Sequence, residues 1–226
     1  MVTTAQTGCR QCGTCCRKGG PALHREDGEL LRQGVFGYQH LVAIRQGEPA
    51  HSPVSGRVEP ASRELVKING RGGDWTCIFF VPEGAACAIY GQRPLECRLL
   101  KCWDTGDLLG AVGRDTLTRL DLLSQGDPAR QLIALHEREC PSSQVAAAVA
   151  GWRLDPENPE PRRVLTDLVR RDLAVRHHAV TDLGLPATVE FFVFGRPLFK
   201  QLAGFGVSIL ETAAAIDLVW PSADSG

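Results

Sequence analysis

Four cysteines fall within eight residues near the N-terminus, at Cys9, Cys12, Cys15 and Cys16, and no other feature of the sequence restricts the fold as strongly. Four more follow at Cys77, Cys87, Cys97 and Cys102, one stands alone at Cys140, and residues 141–226 contain none. A chain built this way has to place its thiols before it places anything else. The uneven distribution divides it into a cysteine-bearing part, residues 1–141, and a C-terminal extension, residues 142–226, expected to pack on it.

The spacing of the first group has chemical content. Cys9-x2-Cys12-x2-Cys15 lets a short loop wrap one centre, and the bacterial ferredoxin run opens the same way. Gly13 supplies the backbone freedom that such a turn requires. Neighbouring side chains in an extended segment point to opposite sides, so Cys15 and Cys16 are expected to serve two centres, or one of them to stand aside. The second group is looser, with gaps of nine, nine and four residues. Its flanks are apolar, Trp75 to Phe80 on one side and Trp103 on the other, and would shield a centre from water. Basic residues are interleaved with the thiols. Arg93 and Arg98 are the candidates for supporting a bound cofactor, since a nearby cation favours the thiolate that ligates. Cys140 precedes Pro141, as a last ferredoxin ligand does, and His136 lies four residues earlier on the same helical face.

Compartment and composition decide between ligands and disulfides. Residues 1–8 show no basic stretch followed by an apolar one, and no run of 18 apolar residues exists, so neither a leader nor a membrane span is expected. The expectation is a cytoplasmic protein whose nine cysteines stay reduced and serve as metal ligands. Lys and Arg number 25 against 26 Asp and Glu, a balance that argues against nucleic acid as a partner. With 226 residues, 43% of them hydrophobic, the chain can bury a core without help from metal.

Local patterns give the elements. Asp27 should cap a helix over residues 28–33 that Gly34 stops, and residues 38–46 read as a second helix. Residues 48–61 read as an exposed loop. Residues 65–68, 77–81 and 86–90 read as strands, the last two joined through Pro82-Glu83-Gly84. Pro94 suits the first turn of a helix carrying Cys97 and Cys102. Helical spacing continues over 116–124, 128–139, 145–150 and 161–183. Residues 189–194 read as an apolar strand, 197–202 as a helical turn or two, and 207–210 as a last strand. The class is α+β, helix-dominated, with short β-hairpins around a cysteine-rich metal site.

Cys9–Cys16, taken with the stretch Cys87-Ala88-Ile89-Tyr90-Gly91-Gln92-Arg93-Pro94-Leu95-Glu96-Cys97-Arg98, resembles the CxxCxxCC (YkgJ-like) cysteine cluster family. The resemblance covers roughly residues 9–102 and implies zinc or iron chelation by the eight cysteines from Cys9 to Cys102. Flagellin lysine N-methylases carry a related arrangement and look like iron–sulfur enzymes. This chain has no nucleotide-binding glycine motif, so that activity is not carried over. Thiolates suit zinc and iron–sulfur clusters alike; the ferredoxin-like opening favours the cluster. Two roles follow: a metal-binding protein with a redox, metal-handling or accessory task, or a metal-dependent enzyme of unnamed substrate using Arg93, Arg98, Asp104 and His136.

Overall fold

The computed structural model describes residues 6, 8–72, 75–211 and 216–221. The expected absence of a leader concerns residues 1–5 and 7, which lie outside them. From the N-terminus the elements are α1 (Thr14–Arg17), α2 (Gly28–Arg32), β1 (Leu41–Ile44), β2 (Pro49–His51), β3 (Val58–Pro60), β4 (Leu65–Ile68), β5 (Gly70–Arg71), β6 (Thr76–Cys77), β7 (Phe80–Val81) and β8 (Ala86–Cys87). These strands pair antiparallel two by two: β1 with β4, β2 with β3, β5 with β6, β7 with β8.

Two expectations for this half are overturned. Residues 41–44 form a strand rather than part of a helix, because all four side chains are buried and Leu41 to Ile44 pair with Ile68 to Leu65. A short run buried on both faces has no helical stripe to show. Residues 48–61 are not simply an exposed loop: they carry the β2–β3 hairpin, and Glu48 is buried because it accepts from Arg45 N–H at 3.0 Å and pairs with Arg196. The expected α2 is present, with Gly34 at φ 74° behind it. Its Asp27, however, turns its carboxylate to other backbone.

Helices dominate the remainder: α3 (Leu95–Leu99), α4 (Gly106–Ala111), α5 (Arg119–Leu122), α6 (Ala129–Glu139), α7 (Ser142–Leu154), α8 (Pro159–Thr181), α9 (Glu190–Phe194) and α10 (Leu198–Ala203). The chain closes on the hairpin β9 (Ser208–Glu211) and β10 (Ile216–Val219). Asn158 caps α8 by accepting from Glu160 N–H at 3.0 Å, and Pro159 occupies its first turn. Residues 190–194 correct the expected strand. They are helical, with Phe192, Val193 and Phe194 buried and α9 packed against β1.

Two apolar cores result. The first joins Leu23, Phe36, Leu41, Val66, Ile68 and Phe80 to Phe192 and Phe194 of α9; Tyr38 stacks on Phe192 at 4.6 Å. The second gathers Cys140, Val145, Trp152, Leu165, Leu168, Leu198 and Leu202. Between them runs a seam of buried charge. Arg45 holds Glu137 with two N–H groups at 2.8 and 2.7 Å, and Arg119 reaches Glu137 at 2.8 Å, Glu64, and Val193 C=O at 2.6 Å. Asp172 accepts from Arg176 Nε at 3.0 Å and from Leu198 N–H at 3.0 Å, and its Oδ1 lies 2.6 Å from His136 Nε2. Buried cations with this many partners are tolerable; unpaired they would not be.

Candidate metal centre

The first cysteine group sits on a tight turn that Gly13 makes. Its φ is 73°, and a side chain there would run into the ring of Phe80. Beyond it α1 carries Cys15 and Cys16 and packs against β6, which ends in Cys77. Arg17 lies over the Phe80 ring, 4.9 Å from its centroid. Phe80 in turn pairs across β7–β8 with Cys87. Cys15 and Cys16 of α1 are thus seated against the strand that ends in Cys77, sixty residues further along the sequence.

Because residues 14–17 are helical and not extended, Cys15 and Cys16 do not point apart. Their sulfurs are 3.9 Å from each other. Thiolates at about 2.3 Å from a common tetrahedral ion stand about 3.8 Å apart, so this pair has the spacing of one edge of such a shell. The extended backbone from which two centres, or one bystander thiol, were expected for these neighbours is thus corrected to a helix.

The ionisation of the thiols shows which of them share an environment. Cys16 is pushed up to about 12 by burial and by the charges of Cys15, Cys77 and Cys87. Burial raises Cys97 further, again with Cys77, Cys15, Cys16 and Cys87 opposing its ionisation. Burial likewise raises Cys77, against a backbone hydrogen bond at Phe79 and the charge of Arg71. Cys12, at the surface, is lowered by the hydroxyl of Thr14, 3.2 Å away, and by Arg17. Cys15, Cys16, Cys77, Cys87 and Cys97 therefore lie within electrostatic reach of one another. Even so, the described residues contain no group of three or more His, Cys, Asp or Glu placed to hold one metal ion.

The other candidates fall elsewhere. Cys9 and Cys102 are exposed; Cys9 accepts from Gln11 N–H at 3.4 Å and Cys102 from Gln6 Nε2 at 3.6 Å. Cys140 is buried in the second core with its sulfur donating to Leu168 C=O at 3.8 Å, and His136 is fully buried against Asp172. Arg93 lies over Tyr90, 3.9 Å from the ring centroid, and Arg98 pairs with Glu26. Arg17 lowers the pKa of Cys12 and Arg71 acts the same way on Cys77, while Arg45, Arg171 and Arg176 act on Cys140. Arg71 had no signal in the sequence, since it reaches Cys77 only through the β5–β6 pairing. Asp27 was read as a helix cap, yet it accepts from Leu95 N–H at 2.8 Å and thereby holds the start of α3, two residues before Cys97.

No curated protein and no solved structure matches the chain. A family model does: that of CxxCxxCC, described as a putative zinc- or iron-chelating domain, over residues 8–119. Cys140 and the C-terminal helices fall outside the match. The match to the CxxCxxCC family model thus takes in residues 8–119, which hold eight of the nine cysteines.

Proposed function

We propose that this protein binds iron or zinc through the thiolates of its two cysteine groups and serves a redox, metal-handling or accessory role. The observation that carries the reading is the seating of Cys15 and Cys16 on the strand of Cys77, with their sulfurs at the edge length of a thiolate shell. The donor chemistry fits, because soft thiolates suit zinc and iron. Cys15, Cys16, Cys77, Cys87 and Cys97 would be the inner donors; Cys9, Cys12 and Cys102, exposed at the rim, would complete the set. When bound, iron–sulfur would supply electron transfer and zinc a closed structural site. The residues around the thiols exclude water on one side, with Phe80 beneath α1, and Arg17 and Arg71 offset part of the thiolate charge.

The C-x2-C-x2-C opening places iron–sulfur first. Protein purified without oxygen should be brown and contain stoichiometric iron with acid-labile sulfide. A colourless protein with stoichiometric zinc would move the reading to a structural zinc site. Purified protein that takes up neither metal at stoichiometric levels would end the proposal.

A further inference from the structure

A cleft of about 760 Å³ opens beside α3, bounded by residues 24–26, by α4 and by residues 114–115. On the α4 side it is lined by Gly106, Gly110 and Ala111, and a Cβ added at Gly110 would meet nothing within 4 Å, so this wall leaves room. The opposite wall is two stretches of backbone bonded together. His24 and Thr116 form an antiparallel bridge, and Arg25 N–H donates to Asp115 C=O at 2.9 Å. Gly113 at φ 73° and Asp115 at φ 47° are left-handed on either side of Arg114. That conformation is unfavourable for a residue other than glycine and persists where surrounding structure imposes it. The result is that Arg114 and Arg25 line the same cleft.

The charges there do not cancel. Glu26 is already paired with Arg98, and Asp107 with Lys101 at 2.7 Å. Among the described residues Arg25 and Arg114 form no ion pair, although the charge of Arg25 acts on Asp121 outside the cleft lining, and Asp115 is the lining carboxylate without an ion pair. Two guanidinium groups without an ion pair thus line the cleft beside one carboxylate without one. A guanidinium takes a carboxylate or phosphate through two parallel N–H···O bonds, a match that lysine does not offer.

We propose that this cleft is a binding site for a small molecule with two or more negative charges, a phosphate or a dicarboxylate, held by Arg25 and Arg114. The site stands apart from metal binding, since no cysteine lines it. The test is titration calorimetry on the full chain at low salt, with inorganic phosphate and succinate as separate probes. At least one probe should bind, and the one that does identifies the anionic group. Arg25→Gln and Arg114→Gln should each weaken that binding about tenfold or more, as the loss of a charged hydrogen-bond donor does. Both residues are exposed, so melting temperatures without anion should match the parent. Arg163→Gln, which removes an exposed guanidinium already paired with Glu160, should leave the affinity unchanged. Absence of binding by both probes at millimolar concentration overturns the proposal. So does binding that Arg25→Gln and Arg114→Gln leave intact, or that Arg163→Gln weakens equally.

Discussion

At the level of single residues, the cysteines separate by environment. Cys97 is in electrostatic reach of Cys77, Cys15, Cys16 and Cys87, whereas Cys140 is enclosed by the second core. Under the proposed function, Cys97→Ser should lower bound metal per chain, and Cys140→Ser should leave that stoichiometry as it is; elemental analysis of the purified variants checks both. Spacing in the sequence showed that the thiols matter, but it could not separate these two, because enclosure by distant side chains has no local signal. His136 makes the same point with a pH dependence attached. Burial, with Arg45 and Arg176 nearby, holds its pKa below 6.5 although Asp172 lies alongside, and its Nδ1 has no partner. The native state then takes up fewer protons than the unfolded chain, so the stability this group confers is complete above about pH 6.5 and declines as pH falls below it. Urea unfolding between pH 7 and 5 should show a loss of up to about 1.4 kcal/mol per pH unit from this group. In His136→Gln that slope should flatten.

At the level of elements, the long helices were legible and the short pieces were not. Helix α8 has a capping Asn158, a proline in its first turn and an apolar stripe of Leu165, Leu168 and Val169, all local signals. Residues 41–44 and 190–194 are short apolar runs whose secondary structure depends on their neighbours. The first became a strand because β4 offers hydrogen-bond partners; the second became a helix because it wedges three apolar side chains against β1. That wedge gives a test of the packing. Phe192 is 1% exposed and stacks on Tyr38, so Phe192→Ala should cost about 3–5 kcal/mol. In a chain of this size that is a fall in melting temperature of about 10 °C, measured by circular dichroism. Asp172→Ala should cost a comparable amount, because Asp172 joins α6, α8 and the start of α10 and offsets buried Arg176.

At the level of the whole molecule, the cysteine-bearing part and the remainder share a core. Phe192, Val193, Phe194 and Ala179 belong to the same cluster as Leu41, Val66 and Phe80, and Arg119 donates to Val193 C=O. We therefore expect that deleting residues 161–226 leaves a protein that is insoluble or unfolded, with β1 and Arg119 stripped of their cover. A truncated chain that stays soluble, melts cooperatively and binds metal at full stoichiometry would show two separable units instead. No helix among the described residues is long and apolar enough to cross a membrane.

The sequence by itself determined the chemistry on offer: clustered thiols at ligand spacing, a glycine where the turn needs φ above zero, and helices whose period of 3.6 repeats over several turns. Each of these is written within a few neighbouring residues. The tertiary structure alone decided which thiols are buried and which exposed, that Asp27 serves α3, and that buried arginines bind the two cores together. All of those depend on contacts between residues tens of positions apart, where burial and charge pairing, and not local propensity, choose the partner.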